Sequence, residues 1–333
     1  MKRQLLGVAA ILLSISTYAQ DNPLWMRYCA ISPDGTTIAF TYKGDIYTVP
    51  STGGRASQIT TNPAHDTKPI WSPDGKKIAF ASDRMGSMDI FEVNKEGGIP
   101  KRLTTHSGNE TPVAYKDAGH ILFLANIMPT AEDAQFPSGQ FQQVYEVNTE
   151  GGRPILFSSM PMEDISINHT GNTLLYHDKK GYEDPWRKHH TSSITRDIWL
   201  CSLNGNRTFR KQTAFNGEDR TPVWASDDKS FYYLSEEKGS FNIFKRDIDG
   251  NTSKQITNHT KHPVRFLSAA SNGTLCYGYD GEIYTVKEGA IPQKVQISIV
   301  TDKNDKDLIR QIKRSGATEI SLSSDAKEIA FVL

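Results

Sequence analysis

The residues in this chain that could perform chemistry are few and loosely spaced. His177, His189 and His190 fall within one stretch that also carries Tyr182, Asp184, Trp186 and Arg187. Adjacent side chains of an extended segment point to opposite sides, and the stretch has no His-x-His or His-x-x-x-His spacing, so no metal site is expected. Cys29, Cys201 and Cys276 are widely separated and show no Cys-x-x-Cys pattern. Each sits among apolar or aromatic residues and reads as a small buried hydrophobe. One disulfide could form in an oxidising compartment, with no pairing favoured by spacing. Asp247-Ile248-Asp249-Gly250-Asn251 begins like a calcium loop, yet Thr252 and Asn258 stand where that loop needs glycine and glutamate. A hairpin turn is the reading there. Neither Gly-x-Ser-x-Gly nor His-Glu-x-x-His occurs. The sequence therefore points to no catalytic residue in this chain and to no cofactor.

What remains is a repeating scaffold. Ile70-Trp71-Ser72-Pro73-Asp74-Gly75-Lys76-Lys77-Ile78-Ala79-Phe80 has a near twin in Ile31-Ser32-Pro33-Asp34-Gly35-Thr36-Thr37-Ile38-Ala39-Phe40. Each copy continues into an alternating run, Asp45-Ile46-Tyr47 or Asp89-Ile90-Phe91, then a Gly-Gly pair and a short closing run, Gln58-Ile59-Thr60 or Arg102-Leu103-Thr104. Weaker copies follow, with central residues Ala39, Ala79, Leu122, Leu175, Tyr232 and Cys276 at intervals of 40, 43, 53, 57 and 44 residues. In Ser-Pro-Asp-Gly the proline presets φ, the aspartate bonds its own backbone and the glycine supplies positive φ, so the chain reverses between strands. Four short strands in about 40 residues are one propeller blade, which covers its apolar faces only by stacking on its neighbours. The expected fold is all-β, a six-bladed β-propeller of four-stranded antiparallel blades. A β-sandwich shares the short strands but not this fourfold order repeated down the chain.

Composition agrees with that reading. Hydrophobic residues at 37%, charged residues at 23%, 25 glycines and 16 prolines suit a turn-rich globular protein. Lys+Arg and Asp+Glu are equal at 38 each, which leaves no electrostatic footprint for nucleic acid or an anionic membrane. Residues 1–19 read as a signal peptide: Lys2 and Arg3 precede an apolar stretch at 5–15, too short to span a bilayer, and Thr17-Tyr18-Ala19 suits cleavage. No membrane insertion is expected after it, and the localisation implied is periplasmic or secreted. The propeller is expected over 20–297, with insertions at 126–142 and 178–196 between the second and third strands of blades 3 and 4. Residues 298–316 read as a linker. At 317–333 the repeat restarts, with Ser323-Ser324-Asp325-Ala326 before Ile329-Ala330-Phe331, as the truncated first strands of a following propeller.

These repeats resemble the WD40-like (PD40) repeats shared by TolB, oligopeptidases and tricorn proteases. More specifically, residues 24–35 with Tyr42-Lys43-Gly44-Asp45-Ile46-Tyr47, and the insertion from Trp186 to Trp199, resemble exported tricorn-protease homologues of the S41 peptidase family. Cys29 stands where proline is expected. The resemblance implies a six-bladed propeller, then a seven-bladed one, a PDZ domain and a serine-peptidase core outside this chain. It implies a non-catalytic role in gating or handling peptide substrates for a full-length serine peptidase, with the C-terminal peptidase domains as partners and homo-oligomers as a possibility. The alternatives are a TolB-like protein-binding propeller and the propeller of a prolyl-oligopeptidase-type enzyme. Since inner strands line a propeller's channel, Arg27, Lys68, Glu110, Asp164, Arg220 and Arg265, at or just before those strands, are the substrate-channel candidates. The competing reading has them as solvated turn charges.

Overall fold

A computed structural model describes residues 23–126, 141–181, 184, 186–187, 194–300 and 315–332. The segment read as a signal peptide, most of the blade 3 insertion, His189 and His190, and most of the segment read as a linker lie outside the described residues. The chain divides into two compact units, 1–299 and 300–333.

The first unit is a six-bladed β-propeller with no helix among its described residues. Its blades occupy 27–58, 66–102, 110–158, 162–211, 219–255 and 265–294. Each is a four-stranded antiparallel sheet whose strands run from inner to outer in chain order. The inner strands are Arg27–Ile31, Asp66–Trp71, Glu110–Asp117, Met162–Ile167, Asp219–Trp224 and Arg265–Ala269.

The Ile-Ala-Phe repeat explains the stacking. Side chains alternate across a strand, so one blade must satisfy two neighbours at once. Ile78 and Phe80 pack back against Ala39 and Ile46 of blade 1, while Ala79 faces forward onto Tyr115 and Ile121 of blade 3. The same division recurs around the ring: Phe231 and Tyr233 pack on blade 4, Tyr232 and Leu234 on blade 6. Six buried clusters fill the six interfaces between blades.

Turn chemistry follows the sequence reading. In blade 2 the Ser72 hydroxyl donates to Asp74 (2.7 Å) and accepts from the Lys77 amide (2.9 Å), and Gly75 takes φ 67°. A second device was hidden in the closing runs. In four blades a threonine hydroxyl there accepts the amide hydrogen of the third-strand isoleucine: Thr60 from Ile46, Thr104 from Ile90 and Thr257 from Ile243, all at 2.9 Å, and Thr213 from Ile198 at 3.0 Å. The outer strand is accordingly shorter than the repeat suggested, as at Ser57–Gln58, because the next two residues bond to Ile46 instead of continuing a ladder.

All four strands of blade 1 come from the N-terminal side of the chain, so the ring closes without exchanging a strand. The last run of blade 6 does not form one closing strand over 294–297. Gln293–Lys294 ends the blade, and Ile297–Ser298 pairs in parallel with Gly54–Arg55 of blade 1. The Gly54 amide donates to Gln296 (2.8 Å) and the Ala56 amide to Ser298 (2.9 Å). Gly53 makes that approach possible: at φ 93°, an added Cβ would lie 2.6 Å from the Gln296 carbonyl oxygen.

In the second unit, Glu319–Leu322 and Ile329–Val332 form an antiparallel hairpin. Ser323 donates to Asp325 (2.6 Å) and Ala326 takes φ 55° where the stronger repeats have glycine. Ile320, Leu322, Ile329 and Phe331 are exposed.

Gly97 holds the same place in blade 2 as Gly53 in blade 1, with the same φ, but its nearest backbone atom would stand off at 3.5 Å. Gly97→Ala should therefore cost only the left-handed strain, about 1 kcal/mol. Gly53→Ala must also push the closing segment away and should cost about 3 kcal/mol. Urea unfolding of the two variants measures the difference; equal losses would contradict this account of ring closure.

Candidate functional site

Every inner strand is broken by a bulge. Register shifts lie between Arg27 and Ala30, Thr67 and Ile70, Pro112 and Ala114, Glu163 and Ser166, Arg220 and Val223, and Arg265 and Ser268. In five of the six, one residue takes left-handed backbone: Tyr28 (φ 52°), Lys68 (53°), Asp164 (49°), Thr221 (52°) and Phe266 (57°). None is glycine, so each position carries about 1–2 kcal/mol of backbone strain. A bulge re-aims a side chain, and here it happens at one level around the ring.

The re-aimed residues meet. Asp164 accepts a hydrogen bond from the Thr221 hydroxyl at 2.6 Å. The Lys68 ammonium lies 5.7 Å from the centre of the Tyr28 ring, and Tyr28 packs on Phe266 at 4.8 Å. Burial pushes the Lys68 ammonium below its usual range, against the opposing charges of Asp164 and Glu163. Burial likewise pushes Arg220 down to about 10, with Glu218 opposing, and lowers Arg265. These are partly desolvated cations, and an anionic or carbonyl-rich ligand would relieve them.

Five of the six candidates thus belong to one electrostatic neighbourhood: Arg27, Lys68, Asp164, Arg220 and Arg265. Arg27 and Asp164 are exposed, Lys68 and Arg265 half-buried, and Arg220 buried with its guanidinium 4.1 Å from the Phe241 ring. Glu110 keeps different company. It has no solvent exposure and lies near Asp89 and Arg102 of blade 2, so it does not line an open channel. Burial, with the Asp89 charge adding to it, raises its carboxyl to about 7 against the opposing influence of the Thr104 side chain and the Arg102 charge.

The blade 4 insertion crosses to the opposite blades. Trp186 stacks with the Arg27 guanidinium (4.9 Å) and with that of Arg265 (5.1 Å), and meets Phe266 edge-on at 6.0 Å. The Arg265 guanidinium also donates to the Trp186 carbonyl at 2.9 Å. Arg187 anchors the turn beneath blade 5 by donating to Glu218 (2.7 Å) and Glu236 (2.8 Å). Burial alone would raise the Glu218 carboxyl; the charges of Arg196, Arg220 and Arg187 outweigh it and hold the group below its usual range. His177 is buried and pairs with Glu163 at 3.2 Å, while its other ring nitrogen faces the Thr221 amide at 3.2 Å. Lys179 donates to Glu163 at 2.8 Å. His177 is therefore a partner within this network, and no cluster of three or more His, Cys, Asp and Glu suited to a metal occurs among the described residues.

Beside Trp186, where blades 6 and 1 meet, is a cavity of about 410 Å³ whose lining includes Trp25, Arg27, Trp186, His262, Arg265 and Tyr279. Flat aromatic faces and guanidinium forks suit peptide groups: the rings take side chains and the guanidiniums take carbonyl or carboxylate oxygens.

The residues 23–290 match the family model of the tricorn protease N-terminal beta propeller domain. The chain belongs to that family. Among curated relatives, tricorn protease homolog 1 of Streptomyces coelicolor is 25% identical over 281 residues, covering 83% of this chain and 25% of the relative. The tricorn protease homolog of Saccharolobus solfataricus is 27% identical over 295 residues, covering 84% and 26%. The crystal structure of the tricorn protease aligns with TM-score 0.72 and 22% identity over 93% of this chain and 29% of that one, a likeness of fold. This tricorn-type propeller thus spans about a quarter of the length of the curated relatives it matches.

Sequence reasoning missed the strained aromatics Tyr28 and Phe266, which carry no charge to draw notice, and the inward role of Trp186. Their signal was available as aromatic residues one or two places into an inner strand and within an insertion otherwise polar.

Arg187→Ala takes the guanidinium from the largely buried Glu236 and leaves Glu218 to Arg196 and Arg220, and should lower stability by about 3 kcal/mol, whereas Trp186→Ala, at 42% exposure, should change it by less than about 1 kcal/mol; denaturant unfolding of both decides whether Arg187 is the anchor. The folded-state carboxyl of Glu110 is raised above its ordinary 4.5, so its contribution is complete below that pH and is lost as pH rises toward about 7. Glu110→Gln, neutral throughout, should gain thermal stability over the parent across that window and hold a constant lead above it. A lead that does not vary with pH would contradict the assignment.

Proposed function

We propose that this chain is the non-catalytic propeller region of an exported, tricorn-like serine peptidase, and that it gates or handles peptides at the bulged end of its channel. The observation that carries this reading is Trp186, brought from the blade 4 insertion across to Arg27 and Arg265 of blades 1 and 6. A side chain held over a channel mouth by two guanidiniums narrows the opening and still presents a flat face to a passing chain. The basic ring beneath it favours carbonyl and carboxylate oxygens over cations. The basic start and apolar stretch of residues 1–19 support export to the periplasm or beyond. The peptidase domains would be the partners of this region, and peptides its ligands.

The test is made on the full-length protein and on this chain side by side, with fluorogenic peptides of graded length. This chain alone should show no turnover. In the full-length peptidase, Trp186→Ala should raise kcat/KM several-fold for the longer peptides and leave the shortest unchanged. Serine-type turnover by this chain, or an unaltered length profile in the variant, would overturn the reading.

A further inference from the structure

The structure sorts the three cysteines into a pair and a single. Cys276 is the central residue of the second strand of blade 6, the place held by Ala39 and Ala79 in blades 1 and 2, and it faces forward. Blade 6 is the last blade, so forward means blade 1. Cys29, on the inner strand of blade 1, lies in the same buried cluster with Ile38, Phe40, Ile283 and Val295. After burial, the neighbouring Cys29 side chain adds to the upward push on the Cys276 thiol. The backbone around them is tied across the same seam: the Cys29 thiol donates to the Phe266 carbonyl (3.5 Å), and the Ile31 amide donates to the Ser268 hydroxyl (3.0 Å). Cys201 sits in a different cluster, between blades 3 and 4.

We propose that Cys29 and Cys276 are oxidised to a disulfide that fastens the first blade to the last. The reaction is thiol–disulfide exchange with a donor disulfide, either a small molecule or a protein oxidoreductase. One cysteine thiolate attacks a donor sulfur, forming a mixed disulfide and expelling a donor thiolate. The second thiolate then displaces the remaining donor sulfur. One S–S bond forms in the chain, its two thiols lose two protons and two electrons, and the donor disulfide is reduced to two thiols.

Both cysteines are buried, at 4% and 0% exposure, and burial holds the Cys276 thiol well above its usual range. Exchange therefore belongs to the stage at which blade 6 docks, before the seam excludes the donor. The position matters because the strand pairing of Ile297–Ser298 with Gly54–Arg55 is short, and the other backbone bonds between these blades, such as Met26 to Gly281 (3.1 Å) and Ser271 to Pro33 (2.9 Å), are single ones. A bond between residues so far apart in sequence restricts the unfolded chain strongly and blocks opening of the ring. Cys201 remains a thiol.

The experiment is alkylation and intact mass on the chain refolded with reduced and oxidised glutathione, then unfolded in the presence of iodoacetamide. The expected result is a single alkylated cysteine, with non-reducing peptide mapping linking Cys29 to Cys276. Cys201→Ser should retain the link and show no alkylation. Cys29→Ser and Cys276→Ser should each show two alkylated cysteines. The thermal midpoint of the parent chain should fall by several degrees on adding reductant, a comparison that needs no variant to fold. Three alkylated cysteines after oxidative refolding, a link that includes Cys201, or a midpoint indifferent to reductant would overturn the proposal.

Discussion

A blade of this protein is a sheet with two apolar faces, and no blade can bury both by itself. Ile38, Phe40 and Tyr47 of blade 1 need a surface behind them, and the chain supplies it only after blade 6 is made, from Ala270, Cys276, Ile283 and Val295. Every other interface joins neighbours in sequence; this one joins the ends. Until it forms, one apolar face remains open at each end of the array. The closing pairing of Ile297–Ser298 with Gly54–Arg55 depends on Gly53 because only a residue without Cβ admits the Gln296 carbonyl so near. Ring closure is thus where packing, backbone conformation and long-range topology must agree.

Much of this architecture can be read from residues. Ile-Ala-Phe states the stacking in three letters, two side chains back and one forward, and Ser-Pro-Asp-Gly states the turn before it. All six blades and their order were legible, because repeated local signals reinforce one another. The closing pairing was not, since a two-residue parallel contact between positions 54 and 297 leaves no periodic mark. The threonine whose hydroxyl caps the third strand in four blades was visible in the closing runs, as Gln-Ile-Thr in blades 1 and 5, but only geometry shows that it replaces a ladder bond.

The site was less legible, for a physical reason. Arg27, Lys68, Asp164, Arg220 and Arg265 could be nominated from their place before or on the inner strands, and the structure brings them near one another. Glu110 satisfied the same positional rule and is buried elsewhere, because it opens its strand ahead of the bulge, at the register where Asp66 and Asp219 are buried too. Strand position is a matter of sequence spacing; side-chain direction depends on where the bulge falls. The reach of Trp186 to blades 6 and 1 comes from an insertion with no repeat to compare, and its anchor, Arg187, looked like any other surface cation.

The left-handed residues of the inner strands carry a consequence for how this propeller can change. At Lys68, Asp164, Thr221, Tyr28 and Phe266 a glycine or asparagine would fit the backbone better than the residue present. Selection for stability alone would drift toward those replacements and, step by step, empty the ring of charge and aromatic surface. In this chain the strain is offset in part by contacts between the same positions, Thr221 with Asp164 and Tyr28 with Phe266. Engineers seeking a hardier version of this propeller would meet a trade-off here first, and would do better to work at its outer strands.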